Sequence, residues 1–232
     1  MKIIGIVGRA YYNQDHQKIM QVNEAIRMVF SSYEDVSVVS ILPTNCKAYV
    51  DLKMGEDVVL EKDRKKIDFV LEMCDGFVIP GGTYWYHFDE YVMEYAIKNN
   101  KPMLAICAGF QALCSMYAFD RNRFDMTSRF SNNQHYGAST KYIHRNVVLD
   151  GTLLKKIIGE SSIWVNSVHH DYVDFEFKEL TISAISEDGV LEAVELPNSC
   201  FVLGVQWHPE YLMDDVSKKI FDGFVYSIKK FS

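Results

Sequence analysis

No window of the 232-residue chain holds a run of about 18 apolar residues, which excludes a membrane-spanning helix on length alone. The opening run Ile3-Ile4-Gly5-Ile6-Val7 is too short for the apolar region of a secretion signal and lacks a small-residue cleavage site after it, so a cytoplasmic protein is expected. Cysteine is sparse and awkwardly numbered: five residues, at 46, 74, 107, 114 and 200, with no CxxC pair. That pattern does not suit a disulfide framework, a zinc ribbon or a thioredoxin-type motif, and an odd count leaves at least one thiol outside any intrachain disulfide. Positive charge is also short, with 24 Lys and Arg against 31 Asp and Glu and a formal net charge of -7. There is no broad cationic field for a nucleic-acid backbone, so neither nucleic acid nor a membrane is an expected partner. Repeats, low-complexity tracts and linkers are absent too, and residues 1–232 are expected to form a single domain.

What the chain does have is an alternation of short apolar runs with helical periodicity, the mark of βαβ units around a mostly parallel sheet. Strands are predicted at residues 3–7, 36–42, 75–79 and 102–106. Helices are predicted where Ile19, Val22, Ile26, Val29 and Phe30 recur, across 61–71, at 91–97, and after Cys107 to about residue 119. The polar stretch 120–141 reads as an irregular excursion. Beyond it, strands are predicted at 142–149, 163–165, 180–185, 190–196 and 201–206, separated by short turns, with a closing helix at 216–228.

Cys107 lies where an apolar strand gives way to a helix, in Ala105-Ile106-Cys107-Ala108-Gly109. A sharp strand-to-helix turn exposes its central side chain and needs small residues two before and two after, as Ala105 and Gly109 are. The helix N-terminus favours a thiolate, and the Ala108 amide is placed to face an oxyanion. Taken alone, a buried structural cysteine explains the position about as well. Cys114, two helical turns on, reads as core, and Cys46, Cys74 and Cys200 have no such surroundings.

Near the other end, Phe201 to Gln206 is an apolar strand that finishes in Trp207-His208-Pro209-Glu210. In an extended chain, side chains at i and i+2 share a side, so Glu210 can reach the imidazole of His208 and fix its tautomer. The other ring nitrogen is then left to move a proton. Pro80-Gly81-Gly82 ends a predicted strand next in order to that of Cys107, and Gly82 is the better candidate for a second oxyanion-hole amide.

Together, Pro80-Gly81-Gly82, the Cys107 elbow with Gln111, Val165-Asn166-Ser167-Val168-His169-His170 and Gly204-Val205-Gln206-Trp207-His208-Pro209-Glu210 resemble the class I glutamine amidotransferase superfamily. Within it they are most similar to the γ-glutamyl-γ-aminobutyrate hydrolase (peptidase C26) branch. The resemblance implies a flavodoxin-like α/β three-layer sandwich with a mostly parallel central sheet, a γ-glutamyl thioester on Cys107 and its hydrolysis. It implies no cofactor and no metal, and it places substrate contacts at Gly81, Gln111, His169 and His170. His169, His170 and Asp171 are consecutive and cannot all face one ion. Ala105 stands where the family usually has glycine. Where this branch usually continues with an aspartate and prolines, the chain reads Thr83-Tyr84-Trp85-Tyr86-His87-Phe88, which makes Trp85 and Tyr86 candidate walls of a leaving-group pocket.

Of three readings, the triad does not separate the first two, and its intact Cys107, His208 and Glu210 argue against the third. One is a hydrolase acting on a small γ-glutamyl amide; another is a glutaminase subunit that acts on glutamine and supplies ammonia to a synthetase partner. The third is a catalytically silent binding protein on the same fold. A homo-oligomer is compatible with each.

Overall fold

The computed structural model describes residues 1–42, 59–119, 135–174 and 176–231. Most of the expected irregular stretch, together with Cys46, lies outside the described residues. Where the chain could bury apolar runs on both sides it forms strands: β1 (Lys2–Val7), β4 (Val36–Ile41), β5 (Gly76–Ile79), β6 (Met103–Ile106) and β11 (Val202–Val205). These five pair in parallel in the order β4-β1-β5-β6-β11. In chain order that is 2-1-3-4-5, the flavodoxin arrangement, whose ligand sites lie beyond the carboxyl ends of the strands. The same sheet continues antiparallel through β10 (Leu191–Glu195), β9 (Thr181–Ser186), β7 (His144–Val148) and β8 (Ser162–Val165).

The two faces of the parallel half carry separate cores, set by the period-2 alternation of each strand. Ile4, Ile6, Val78, Leu104, Ile106, Leu203 and Val205 face one core with α1 (Glu24–Ser31) and α7 (Asp215–Phe231). Val7, Phe77, Ile79, Met103, Ala105 and Val202 face the other, under α2 (Glu61–Glu72), α3 (His87–Lys98) and α4 (Ala108–Met116). Helix, sheet and helix make the three expected layers. No helix among the described residues is long and apolar enough to cross a membrane.

Three local expectations are corrected. The stretch from Ile19 to Phe30 is not one helix: β2 (Arg9–Tyr12) and β3 (Lys18–Gln21) form a hairpin, and α1 begins only after Asn23, whose side chain caps the Ile26 amide at 3.2 Å. The helix predicted at 91–97 starts at His87 because Asp89 accepts from the Tyr86 amide at 2.9 Å, which draws Phe88 into the helix. Two short helices were not anticipated, α5 (Leu153–Ile158) and α6 (Pro209–Leu212).

Candidate active site

Cys107 is held at φ 52°, ψ -107°, a conformation that non-glycine residues rarely adopt and that marks a strained elbow. Its amide donates to the Val205 carbonyl at 2.8 Å, which keeps it tied to the sheet while α4 starts at the next residue. The elbow needs Gly109: a Cβ there would lie 2.3 Å from the Ile79 carbonyl oxygen, so only a bare Cα lets α4 sit this close to β5.

His208 follows β11, with its Nδ1 2.7 Å from Glu210 Oε1. The pairing forms by another route than an extended chain. Pro209 is the first residue of α6, where its fixed φ and missing N–H are favourable, and Glu210 turns back onto the ring from the second helical position. Both side chains are buried, and Glu210 Oε2 has no hydrogen-bond partner among the described residues. Burial opposes charge on His208. The charges of Glu210 and of a Cys107 thiolate, with hydrogen bonds to both, nevertheless raise its pKa well above the usual imidazole range.

Gly81 belongs to this contact. A Cβ on it would stand 2.6 Å from His208 Cε1 and 3.2 Å from Cys107 Cβ, so its lack of a side chain gives the pair its room. The turn is clamped by Arg9, the first residue of β2. Its guanidinium donates to the carbonyls of Pro80 at 2.5 Å and Gly81 at 3.2 Å and is paired with buried Asp89 at 2.6 Å. In a planar trans peptide the N–H opposes the C=O, so this clamp turns the Gly82 amide away from Arg9. The sequence reading missed Arg9, since nothing in the chain's order ties residue 9 to residue 81. It also missed Asn166, whose side chain spans the His208 backbone, accepting from its N–H at 2.9 Å and donating to its C=O at 2.8 Å.

A cavity of about 490 Å³ opens on Cys107 and His208 and is lined also by Gly82, Tyr84, Gln111 and the loop from Val168 to Asp171. Gln111 is locked by donating to the Asp171 carbonyl and to Gln206 Oε1, at 3.2 and 3.1 Å. His170 stacks on Tyr136 at 3.8 Å between ring centroids, whereas His169 points inward and is buried. Beside Gly81 and Gly82 a second cavity of about 270 Å³ is bounded by Arg9, Tyr11, Gln21, Asn23, Tyr84 and Tyr86. Of the two aromatic residues expected to wall a leaving-group pocket, Tyr86 lines this second cavity. Trp85 lines neither and packs into the core under α3, edge-on to His87. Tyr84, 43% exposed, lines both.

The other described cysteines are chemically quiet. Burial pushes the Cys114 thiol well up, Cys74 to about 11, and Cys200 upward as well.

The chain is 28% identical to a glutamine amidotransferase-like protein of Rickettsia prowazekii, over 75% of this chain and 84% of that one. It is 32% identical to the gamma-glutamyl-gamma-aminobutyrate hydrolase of Escherichia coli, over 58% of this chain and 56% of that one, so the match spans little more than half of the relative's length. In fold it is similar to the glutaminase domain of the Trypanosoma brucei CTPS with bound acivicin, at a TM-score of 0.69 and 19% identity, with 99% of this chain and 94% of that one covered. Residues 86–210, from the buried aromatic run to Glu210 itself, match the Peptidase C26 model, and the chain belongs to the Peptidase C26 family.

Proposed function

We propose that residues 1–232 form a single hydrolase domain that cleaves γ-glutamyl amide bonds through a γ-glutamyl thioester on Cys107. The observation that carries this reading is that His208, held by Glu210 at 2.7 Å, and Cys107 both stand against the bare Cα of Gly81 and line one cavity. The thiolate Sγ attacks the amide carbon, and the carbonyl π pair moves onto oxygen. The resulting oxyanion is held by the amides of Gly82 and Ala108. Collapse of the intermediate expels the amine, which takes the Nε2 proton of His208. A water then enters, gives its proton back to Nε2 and attacks the thioester, so that glutamate leaves and Sγ is released as thiolate. Glu210 holds Nδ1–H throughout and stabilises the imidazolium. Gln111 and the His169-His170 loop are the expected contacts of the glutamyl half.

The second cavity favours a small γ-glutamyl amide over glutamine itself. Ammonia needs no pocket, whereas a leaving amine bearing a carbon chain has one on the far side of Gly82, with Arg9 at its edge. The E. coli relative carries γ-glutamyl-γ-aminobutyrate in its name, a substrate of that shape. The test is a screen of γ-glutamyl amides and free glutamine, with products and the trapped 107 thioester identified by mass. Turnover of amides above glutamine supports the hydrolase. Slow activity on glutamine alone that rises with an added synthetase establishes the glutaminase subunit instead. No adduct at Cys107 with a substrate or with a thiol probe would leave only a silent binding protein.

A further inference from the structure

A second group of histidines and a carboxylate lies in the antiparallel half of the sheet, and the chemistry above does not use it. Glu192, on β10, is wholly buried, and one of its oxygens, Oε1, is approached by three imidazoles. His135 Nδ1 and His144 Nε2 are each 3.4 Å away, and His169 Nε2 is 3.5 Å away. These separations exceed the roughly 2.7–3.2 Å of an N–H···O bond. Among the described residues, neither Glu192 Oε1 nor either nitrogen of His144 has a hydrogen-bond partner. Leaving a buried carboxylate oxygen in that condition is costly.

The surroundings assign the protons. His135 Nε2 stands 3.0 and 3.2 Å from the two oxygens of Asp188, so it carries the hydrogen, and in the neutral ring Nδ1 presents a lone pair to Glu192. His169 Nδ1 is 3.1 Å from the Asp171 carbonyl, which can only accept, so its Nε2 also presents a lone pair to Glu192. Acceptors that converge on an anionic oxygen repel one another unless positive charge lies among them. An outer carboxylate or carbonyl that fixes the far nitrogen of each ring is the arrangement that surrounds metal-bound histidines. The spacing agrees, because two ligand atoms each about 2.1 Å from a tetrahedral zinc stand about 3.4 Å apart.

We propose that His135 Nδ1, His144 Nε2 and Glu192 Oε1 bind one divalent transition-metal ion, zinc by the nature of the donors, with His169 facing the fourth position. The ion's role is structural. It joins β7 and β10 to the paired segments at 135–137 and 167–169, where the His169 amide donates to the His135 carbonyl at 3.2 Å. Tyr136 and His170, which wall the large cavity, are the residues next to its ligands.

The competing arrangement puts an extra proton, not an ion, on the imidazoles, and the two are separable. The full chain carrying Cys107→Ser, which removes the active-site thiol as a rival ligand, is stripped with a chelator and titrated with Zn²⁺ against a chromophoric chelator. Bound metal is then counted by mass spectrometry after gel filtration. The expected result is one zinc per chain, at least about 100-fold weaker in His144→Ala and in Glu192→Gln, and about 10–100-fold weaker in Asp188→Asn. Far-UV circular dichroism checks each variant. Should Glu192→Gln not fold, His144→Ala and Asp188→Asn decide, since the His144 and Asp188 side chains reach the surface at 12% and 39% exposure. Co²⁺ bound in place of zinc should give the intense visible absorption of a tetrahedral nitrogen and oxygen site, absent in His144→Ala. Failure of the stripped protein to take up zinc overturns the proposal, as does uptake with one affinity in all variants.

Discussion

The molecule holds two buried sets of histidine and glutamate, and they differ in spacing. His208 and Glu210 meet at 2.7 Å, whereas Glu192 stands 3.4 to 3.5 Å from each of three imidazoles. At the shorter distance one proton joins nitrogen to oxygen and the pair can trade charge with Cys107. At the longer distance a proton reaches poorly, and a larger cation fits. As proposed, the same residue types thus serve proton transfer in the parallel half and ion binding in the antiparallel half. Spacing selects the chemistry.

The comparison breaks first at the nucleophile. Cys107→Ser and His208→Ala should each lower kcat on the order of 10⁴- to 10⁶-fold, while variants of the Glu192 group leave alkylation of Cys107 by iodoacetamide unchanged. A triad variant that keeps a tenth of the activity would end the assignment. Glu210→Gln should cost less, about 10³-fold, and it carries a signed effect on pH dependence. The carboxylate charge helps to raise the His208 pKa, so its removal lowers that pKa and moves the alkaline limb of the kcat/KM profile downward. An alkaline limb that stays in place would mean that Glu210 only packs.

Gly81→Ala probes the contact sterically. The new Cβ, 2.6 Å from His208 Cε1, should displace the ring and cost about 100-fold in kcat in a protein of unchanged thermal stability. Arg9→Met, which frees the Pro80 and Gly81 carbonyls, should lower kcat about tenfold with little change in KM, as expected of a residue that positions the turn. The smallest effects concern specificity. Tyr84→Ala should reorder preferences among γ-glutamyl amides by about tenfold. Trp85→Ala should slow all of them alike and cost about 3–5 kcal/mol in urea denaturation, because its ring is core. Reordering by the Trp85 variant would return the whole aromatic run to the leaving-group pocket.

The difference between the two sets also explains what the chain made legible. Cys107 with Ala105 and Gly109, and His208 with Glu210, are local patterns, each confined to a few residues at the end of an apolar strand. The mostly parallel sheet was legible in the alternation of apolar runs with helical patterns, whereas the order of its strands is set by tertiary pairing. The residues that went unread are tied across the chain: Arg9 to Gly81, Asn166 to His208, and Glu192 to His135, His144 and His169. No spacing rule links positions that only tertiary structure brings together. Consecutive His169 and His170 hid this, since the sequence offered them as neighbours with one role and the fold sends one inward and one to the surface. Likewise the hairpin before α1 went unrecognised because Ile19, Val22 and Ile26 mimic a helical stripe across the Asn23 cap.

Gly109 carries one further consequence. Its bare Cα against the Ile79 carbonyl locks the nucleophile helix to the strand that leads into the Pro80-Gly81-Gly82 turn, and Arg9 fastens that turn from the other side. A side chain at position 109 would therefore disturb the Cys107 elbow and the strand end that carries the Pro80-Gly81-Gly82 turn together. The stacked rings of Tyr136 and His170 line the cavity that opens on that elbow, so they and the fixed turn bound the same space.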